Sequence, residues 1–113
     1  MNQKEFSRLV RNYDLLKAIY KAGNPRREAL ISVADDDLIE AICACCRNII
    51  GGVVPLTDLR KRRLIKYRKT VKDLSDSVIP IEEKKEVIQT GGFITTILPA
   101  ILAPIIEVIA SKL

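Results

Sequence analysis

The sequence predicts an all-α fold, and three observations lead to that prediction. Nearly half of the 113 residues are hydrophobic (48%), but only 4% are aromatic and tryptophan is absent. The core must therefore be built from Ile, Leu, Val and Ala, which suit packed helices better than a sandwich or a barrel. Apolar residues also recur at steps of three and four between Gly, Pro and Asp. We expect one small bundle of about five helices over residues 1–90, followed by a proline-interrupted apolar helical tail over residues 91–113.

The first three helices follow from this spacing. Residues 4–21 carry an apolar or aromatic residue every three or four positions between Lys and Arg, which predicts one amphipathic helix. A second, short helix begins at "NPRRE", where proline suits the first turn, and reaches about Val33. The third, in "ADDDLIEAICACCRNIIGG", has Asp35 or Asp36 as its cap and apolar residues around most of its circumference. We expect this third helix to be central and the most buried.

Two more helices precede the tail. The fourth is capped by Thr57 or Asp58 and directs Leu64, Val71 and neighbouring apolar residues at the core. The fifth lies in "IPIEEKKEVIQTGG", where Gly91 serves as its C-terminal stop.

The fourth helix carries the strongest functional signal, a run of cations with no acidic residue among them. We call it the basic segment: Arg60, Lys61, Arg62, Arg63, Lys66, Arg68, Lys69 and Lys72. Lined along a helix, such charges match the closely spaced phosphates of a nucleic-acid backbone. The alternative is an ordinary solvated helix face. Because no zinc-finger spacing, aromatic platform or Asn/Gln array accompanies these cations, we expect binding without strong sequence preference.

The sequence favours no catalytic or metal site. Cys43, Cys45 and Cys46 diverge around one helix and no histidine is present to complete a zinc site, so we interpret them as small core residues. No nucleophile, base and orienting group can be assembled from the spacing. We therefore predict a protein that is not an enzyme, with no catalytic residue, no metal and no cofactor.

The apolar tail "FITTILPAILAPII" has three alternative interpretations. It could insert into a membrane, pack as a buried element on the helical domain, or bind a partner. Its 14 uncharged residues are shorter than a membrane span, and Pro99 and Pro104 favour two short helical pieces over one rod. The residues that would make membrane or partner contact are Phe93, Ile94, Ile97, Leu98, Ile101, Leu102, Ile105 and Ile106.

The order of these parts resembles a viral family. A basic region, a glycine pair and then "FITTILPAILAPII" resembles the C-terminal part of the adenovirus core peptide mu precursor. The whole chain, including "LLKAIYKAGNPRREALI" and "VPLTDLRKRRLIKYRKTVKDL", is similar to small basic proteins of adintoviruses and Maverick/Polinton elements. The resemblance implies a minor virion component carried with a double-stranded DNA genome, with membrane or capsid contact through the tail. No secretory signal is evident at the N-terminus, so the expected location is the virion and the host nucleus or cytoplasm.

The same resemblance gives the glycine pair a second meaning. "QTGG" has the form that closes small ubiquitin-like modifiers, and adenovirus-type cysteine proteases cut after such ends because a narrow tunnel admits glycine only. It implies processing at Gly91, Gly92 and Phe93 by a viral cysteine protease. The alternative is that Gly91 is simply a helix C-cap. A rival to the whole interpretation is a helical interaction protein whose tail completes the core and whose basic face docks an acidic partner.

Overall fold

The computed structural model describes all residues, 1–113, and contains α-helices, one π-helical segment and no strand. The predicted all-α fold is confirmed, with eight α-helices instead of about five. They are α1 (Gln3–Arg11), α2 (Tyr13–Lys21), α3 (Asn24–Ser32), α4 (Asp36–Ile50), α5 (Asp58–Ile65), α6 (Arg68–Ser75), α7 (Ile81–Ile88) and α8 (Leu98–Lys112), with the π-helical segment at Phe93–Ile97.

The central element is α4, as predicted. Asp35 caps it, because the Leu38 amide donates to Asp35 Oδ1 at 2.8 Å, and two further aspartates lie in its first turn at the positive end of the helix dipole. Ten of its 15 residues are buried. Helices α1, α6, α7 and α8 all pack against it. Of the remaining helices, α2 and α5 reach the core through α8, since both pack against α8.

The predicted helix over residues 4–21 is wrong in one respect, because it breaks at Asn12. The Asn12 amide nitrogen Nδ2 donates to Arg8 O and to Asp37 Oδ2, both at 2.9 Å, and the side chain is buried at the start of α4. Its backbone (φ −100°, ψ 7°) leaves the helical region. The contact with α4 therefore divides the stretch into α1 and α2.

The predicted fourth helix also divides, at Lys66 and Tyr67. Thr57 caps α5 as expected, with its hydroxyl accepting from the Arg60 amide at 3.3 Å. The two halves have different neighbours, since α5 packs against α8 and α6 packs against α4. A straight rod could not reach both, and the Tyr67 backbone (φ −110°, ψ 13°) makes the bend.

The C-terminal segment forms one continuous helix, so the prediction of two short pieces is wrong. Pro99 falls in the first turn of α8, directly after the π-helical segment. In that segment the Leu98 amide donates to Phe93 O, five residues back, and the wider turn accommodates the proline ring. Pro104 lies inside α8 and is buried. Both prolines are accepted without ending the helix.

A buried arginine joins this helix to the N-terminal half. Pro99 has no amide hydrogen, and the Leu98 amide donates to Phe93 O, so the Ile94 carbonyl does not receive the amide that follows it in a regular π-helical turn. Arg27, only 7% exposed, donates to Ile94 O at 3.1 Å. Its other donors go to Ile19 O, Tyr20 O, Ala22 O and Asn24 Oδ1.

The apolar C-terminal residues belong to the same core as the rest of the chain. Of the eight residues expected to contact a membrane or partner, seven are at most 3% exposed, and only Ile106 is partly exposed. The helix Phe93–Lys112 is long and apolar enough to cross a membrane, but 56% of its most apolar window is buried inside the protein. Residues 91–113 thus pack as a buried element on the helical domain, which is one of the three interpretations that the sequence left open.

Candidate nucleic-acid interface

The basic segment is held on the surface by the apolar residues between its cations. Leu64 in α5 and Val71 and Leu74 in α6 are at most 7% exposed and belong to the core cluster. They anchor the two helices and direct the intervening cations outwards. Seven of the eight cations are exposed, and Arg60 is half-buried. The core-facing row predicted from the sequence is therefore confirmed.

Only Arg60 of these eight cations has an acidic partner. Its Nη1 and Nη2 atoms donate to Glu107 of α8 at 3.2 and 2.8 Å, a two-point contact that fixes the guanidinium. The hydrogen bond from Arg60 lowers the pKa of Glu107, and the same contact raises the pKa of Arg60. The other seven cations lie outside the four ion pairs of the structure. The surface keeps an uncompensated positive charge.

The remaining three ion pairs hold α1 on α4. Arg8 Nε and Arg11 Nη2 lie 3.1 and 3.0 Å from Asp37 Oδ1, and Arg47 Nε lies 2.8 Å from Glu5 Oε2. The pKa of Asp37 is lowered to about 2, chiefly by the hydrogen bond from Asn12 and then by that from Arg11. These carboxylates are engaged away from the basic segment and leave it unneutralised.

On one side of the basic segment lies a largely apolar groove of about 410 Å³. Lys61 and Arg68 are its charged lining, and Ile65, 69% exposed, is the most accessible of its apolar residues. The remaining lining residues are Ile49, Ile50, Leu56, Leu64 and Val71. We call this the apolar groove.

A second groove, of about 400 Å³ and with a mixed polar and apolar lining, is formed where α5 approaches α2 and the C-terminal helix. Arg60 and Arg63 come from α5, Tyr20 from α2, and Thr95 and Thr96 from the π-helical segment. Pro99, Ala100 and Ala103 complete the lining. We call this the arginine–threonine groove.

Sequence reasoning missed this groove. The absence of an aromatic platform beside the cations was inferred from α5 and α6 alone, whereas the fold brings Tyr20, 38% exposed, to the same groove as Arg60 and Arg63. Tyr20 is 40 residues before Arg60, and no local pattern links them. Only the packing of α2 and α5 against α8 could reveal the juxtaposition.

The three cysteines are core residues, as predicted. Cys43, Cys45 and Cys46 are all fully buried and free. Burial raises the pKa of Cys43 to about 11 and also raises the pKa values of Cys45 and Cys46. The thiolate, which is the form that attacks substrates or binds metal, is therefore disfavoured. No three His, Cys, Asp or Glu side chains come together as a metal site.

The glycine pair lies at the start of the C-terminal helix. The alternative of Gly91 as the stop of α7 is wrong, because α7 ends at Ile88 with Gln89 as its C-cap. Gly92 has helical backbone angles (φ −63°, ψ −38°), and Phe93 is only 2% exposed. A protease tunnel accepts an extended chain, so processing at Gly91, Gly92 and Phe93 would require this turn to unfold first.

Comparison with known proteins found no family model that matches the chain, and no curated protein or solved structure with significant similarity. The resemblance to adintovirus and Polinton proteins therefore stays a prediction.

Proposed function

We propose that this chain binds nucleic acid without strong sequence preference, as a minor virion component of an adenovirus-related DNA virus or virus-like transposon. The observation that carries the binding proposal is the basic segment, where seven exposed cations have no carboxylate within ion-pair distance. The virion assignment rests on the sequence resemblance alone.

The chemistry of the segment suits phosphates. Lys and Arg on two short consecutive helices present cations at intervals, and each one that neutralises a phosphate releases a condensed counterion. The net charge of +5 adds a long-range attraction to any polyanion. Since double-stranded DNA has the highest linear charge density, we expect it to bind through backbone contacts. We do not propose membrane contact, because the residues that would make it lie in the core.

Salt dependence tests this proposal. The full chain, titrated with a 20-base-pair duplex in fluorescence anisotropy, should bind at 50 mM salt and weaken steeply as the salt rises. Lys66→Gln with Lys69→Gln should reduce the slope of log K against log salt by about 2, since each lost phosphate contact contributes about 0.9. The control, Lys4→Gln with Lys21→Gln, removes the same charge from exposed positions outside the segment and should leave the slope unchanged. Equal effects of the two variants, or no binding at low salt, would contradict the proposal.

A second function is favoured by the apolar groove. The groove is lined by Lys61, Leu64 and Ile65 of α5 and by Arg68, the first residue of α6. An amphipathic helix with two apolar residues between two acidic ones would complement them in both charge and apolarity. This is the rival interpretation, a helical interaction protein that docks an acidic partner. The buried C-terminal helix is consistent with it as well.

One pair of variants separates the two functions. A synthetic helical peptide containing Glu-x-x-Leu-Leu-x-x-Glu should bind the wild type in calorimetry, and Ile65→Gln should abolish that binding while leaving duplex affinity unchanged. Lys66→Gln, a neighbour outside the groove, should weaken only duplex binding. If Ile65→Gln leaves peptide binding intact, the apolar groove is not the docking site.

A further inference from the structure

The arginine–threonine groove collects polar groups that the fold does not use. Arg63 takes part in no ion pair or side-chain hydrogen bond, and neither does the Tyr20 hydroxyl. Thr95 donates to Gly91 O at 2.7 Å, whereas Thr96 has only a long contact of 3.4 Å with Thr95. Arg60 is already oriented by Glu107. The groove therefore offers a free cation, a free hydroxyl and an accessible aromatic ring, all unengaged.

The π-helical segment presents the two threonines. A π-helical turn is rare and often occurs at functional sites. Here it adds one residue to the turn before Pro99, and Thr95 and Thr96 line the groove side by side while Phe93, Ile94 and Ile97 enter the core. Ala100 and Ala103 on the adjoining turns add only methyl groups to the lining of the groove.

From this arrangement we infer that the arginine–threonine groove binds one unpaired nucleotide, with its base stacked on Tyr20 and its phosphate held by Arg63 and Thr96. A groove of about 400 Å³ lies at the lower end of the range for small-ligand sites and cannot admit a duplex. Base stacking on aromatic rings is tolerant of sequence, because every base has a flat face. The inference deepens the proposed function and rests on it for the backbone contacts made by the rest of the basic segment.

Charge alone predicts a preference for double-stranded over single-stranded nucleic acid, which is the opposite of what the stacking site predicts. A duplex carries more charge per unit length than a single strand, so a surface that only neutralises phosphates binds the duplex more tightly. A stacking site reverses that order, and its contribution persists at high salt because it releases no counterion. The ratio of single-strand to duplex affinity therefore reports the groove, whereas the absolute duplex affinity reports the basic segment.

The experiment compares a 20-nucleotide single strand with a 20-base-pair duplex on the full chain, by anisotropy from 50 to 300 mM salt. Stacking contributes about 1 to 3 kcal/mol per base, which is about a 5- to 150-fold change in affinity. We expect the wild type to prefer the single strand, Tyr20→Leu to lose that preference by about fivefold or more, and Tyr20→Phe to keep it. Duplex affinity should be the same in all three proteins.

Two neighbouring arginines provide a matched pair of variants. They keep the inference testable even if Tyr20→Leu does not fold. Arg63→Gln should weaken single-strand binding more than Arg62→Gln, which removes the same charge one residue away, outside the lining of the groove. Three results would overturn the inference while leaving the proposed function intact. They are a wild-type preference for the duplex, an unchanged ratio of single-strand to duplex affinity in Tyr20→Leu, and equal effects of the two arginine variants. Absence of binding to either nucleic acid at 50 mM salt would remove both.

Discussion

At the scale of single residues, Arg27 connects parts of the chain that are far apart in sequence. Four of its acceptors lie between Ile19 and Asn24, mostly carbonyls that the end of α2 leaves without amide partners, and the fifth is Ile94 O. No carboxylate accompanies it in these contacts. The guanidinium is retained in the core because five hydrogen bonds replace the water it has lost.

Replacing Arg27 should lower the free energy of unfolding more than the loss of the same charge at an exposed position. Arg27→Met keeps the aliphatic stem but removes five hydrogen bonds, of which those to Ile19 O and Ile94 O are fully buried. We expect a loss of about 3 kcal/mol or more in the free energy of unfolding. Arg27→Lys should recover only part of it, since an ammonium has three donors. Urea denaturation measures both. Arg26→Met, at an exposed neighbour, should change stability by less than about 0.5 kcal/mol, and an equally small effect at Arg27 would contradict this account.

Asp37 should make the fold sensitive to acid. Its pKa falls from an ordinary value near 3.8 to about 2 in the folded protein. The stabilisation is therefore complete above about pH 4 and is lost as the pH falls towards 2. Because the side chain is 38% exposed, solvent screening limits the effect to about 1 kcal/mol.

Asp37→Asn should flatten the dependence of unfolding free energy on pH between about 4 and 2, as measured by urea denaturation at several pH values. Asp36→Asn changes a neighbouring exposed carboxylate and serves as the control. If both variants retain the slope of the wild type, the contacts of Asp37 do not contribute to acid stability.

At the scale of elements, the sequence predicted what depends on local chemistry. Asp35 and Thr57 are recognisable caps, and the apolar circumference of α4 identified the central helix. The breaks at Asn12 and Tyr67 were not predictable, because the first depends on Asp37, 25 residues away, and the second on two different neighbours of α5 and α6. The arginine–threonine groove could not be predicted for the same reason, since three elements that are distant in sequence form it.

The glycine pair before the C-terminal helix is not required by the folded structure. Gly91 and Gly92 lack a left-handed backbone, and a Cβ atom at either position would meet nothing within 4 Å. Alanine restricts the unfolded chain more than glycine does, so Gly91→Ala and Gly92→Ala should each stabilise the protein by about 0.5 to 1 kcal/mol in thermal or urea unfolding.

Gly52 is the matched contrast for the glycine pair. Its φ of 72° lies in the left-handed region, so Gly52→Ala should be destabilising. A loss of stability in Gly91→Ala or Gly92→Ala similar to that in Gly52→Ala would show that the pair has a role in the native fold that the backbone geometry does not reveal.

At the scale of the whole molecule, a basic segment and an apolar segment that are separate in the sequence lie at different depths in one domain. The radius of gyration, 12.7 Å, agrees with the value of about 13 Å for a single domain of this size. One cluster of 26 buried residues includes side chains from α1 through α8. The most apolar segment of the sequence contributes to that cluster, and the most basic segment covers part of its outside. The paired contact between Arg60 and Glu107 joins the two segments directly.

Two double-lysine variants of α8, one at buried and one at exposed positions, test whether the C-terminal helix belongs to the core or is a separate membrane segment. Ile101 and Ile105 are fully buried, whereas Ala110 and Ser111 are exposed. Ile101→Lys with Ile105→Lys places two charges in the core and should cost more than about 4 kcal/mol, enough to unfold a domain of marginal stability. Ala110→Lys with Ser111→Lys should change stability by less than about 1 kcal/mol.

Circular dichroism with urea denaturation measures the stability of both variants, and liposome flotation of the same proteins measures membrane binding. If the Ile101 and Ile105 variant unfolds like the wild type but no longer floats with liposomes, the helix serves a membrane and is not part of the fold.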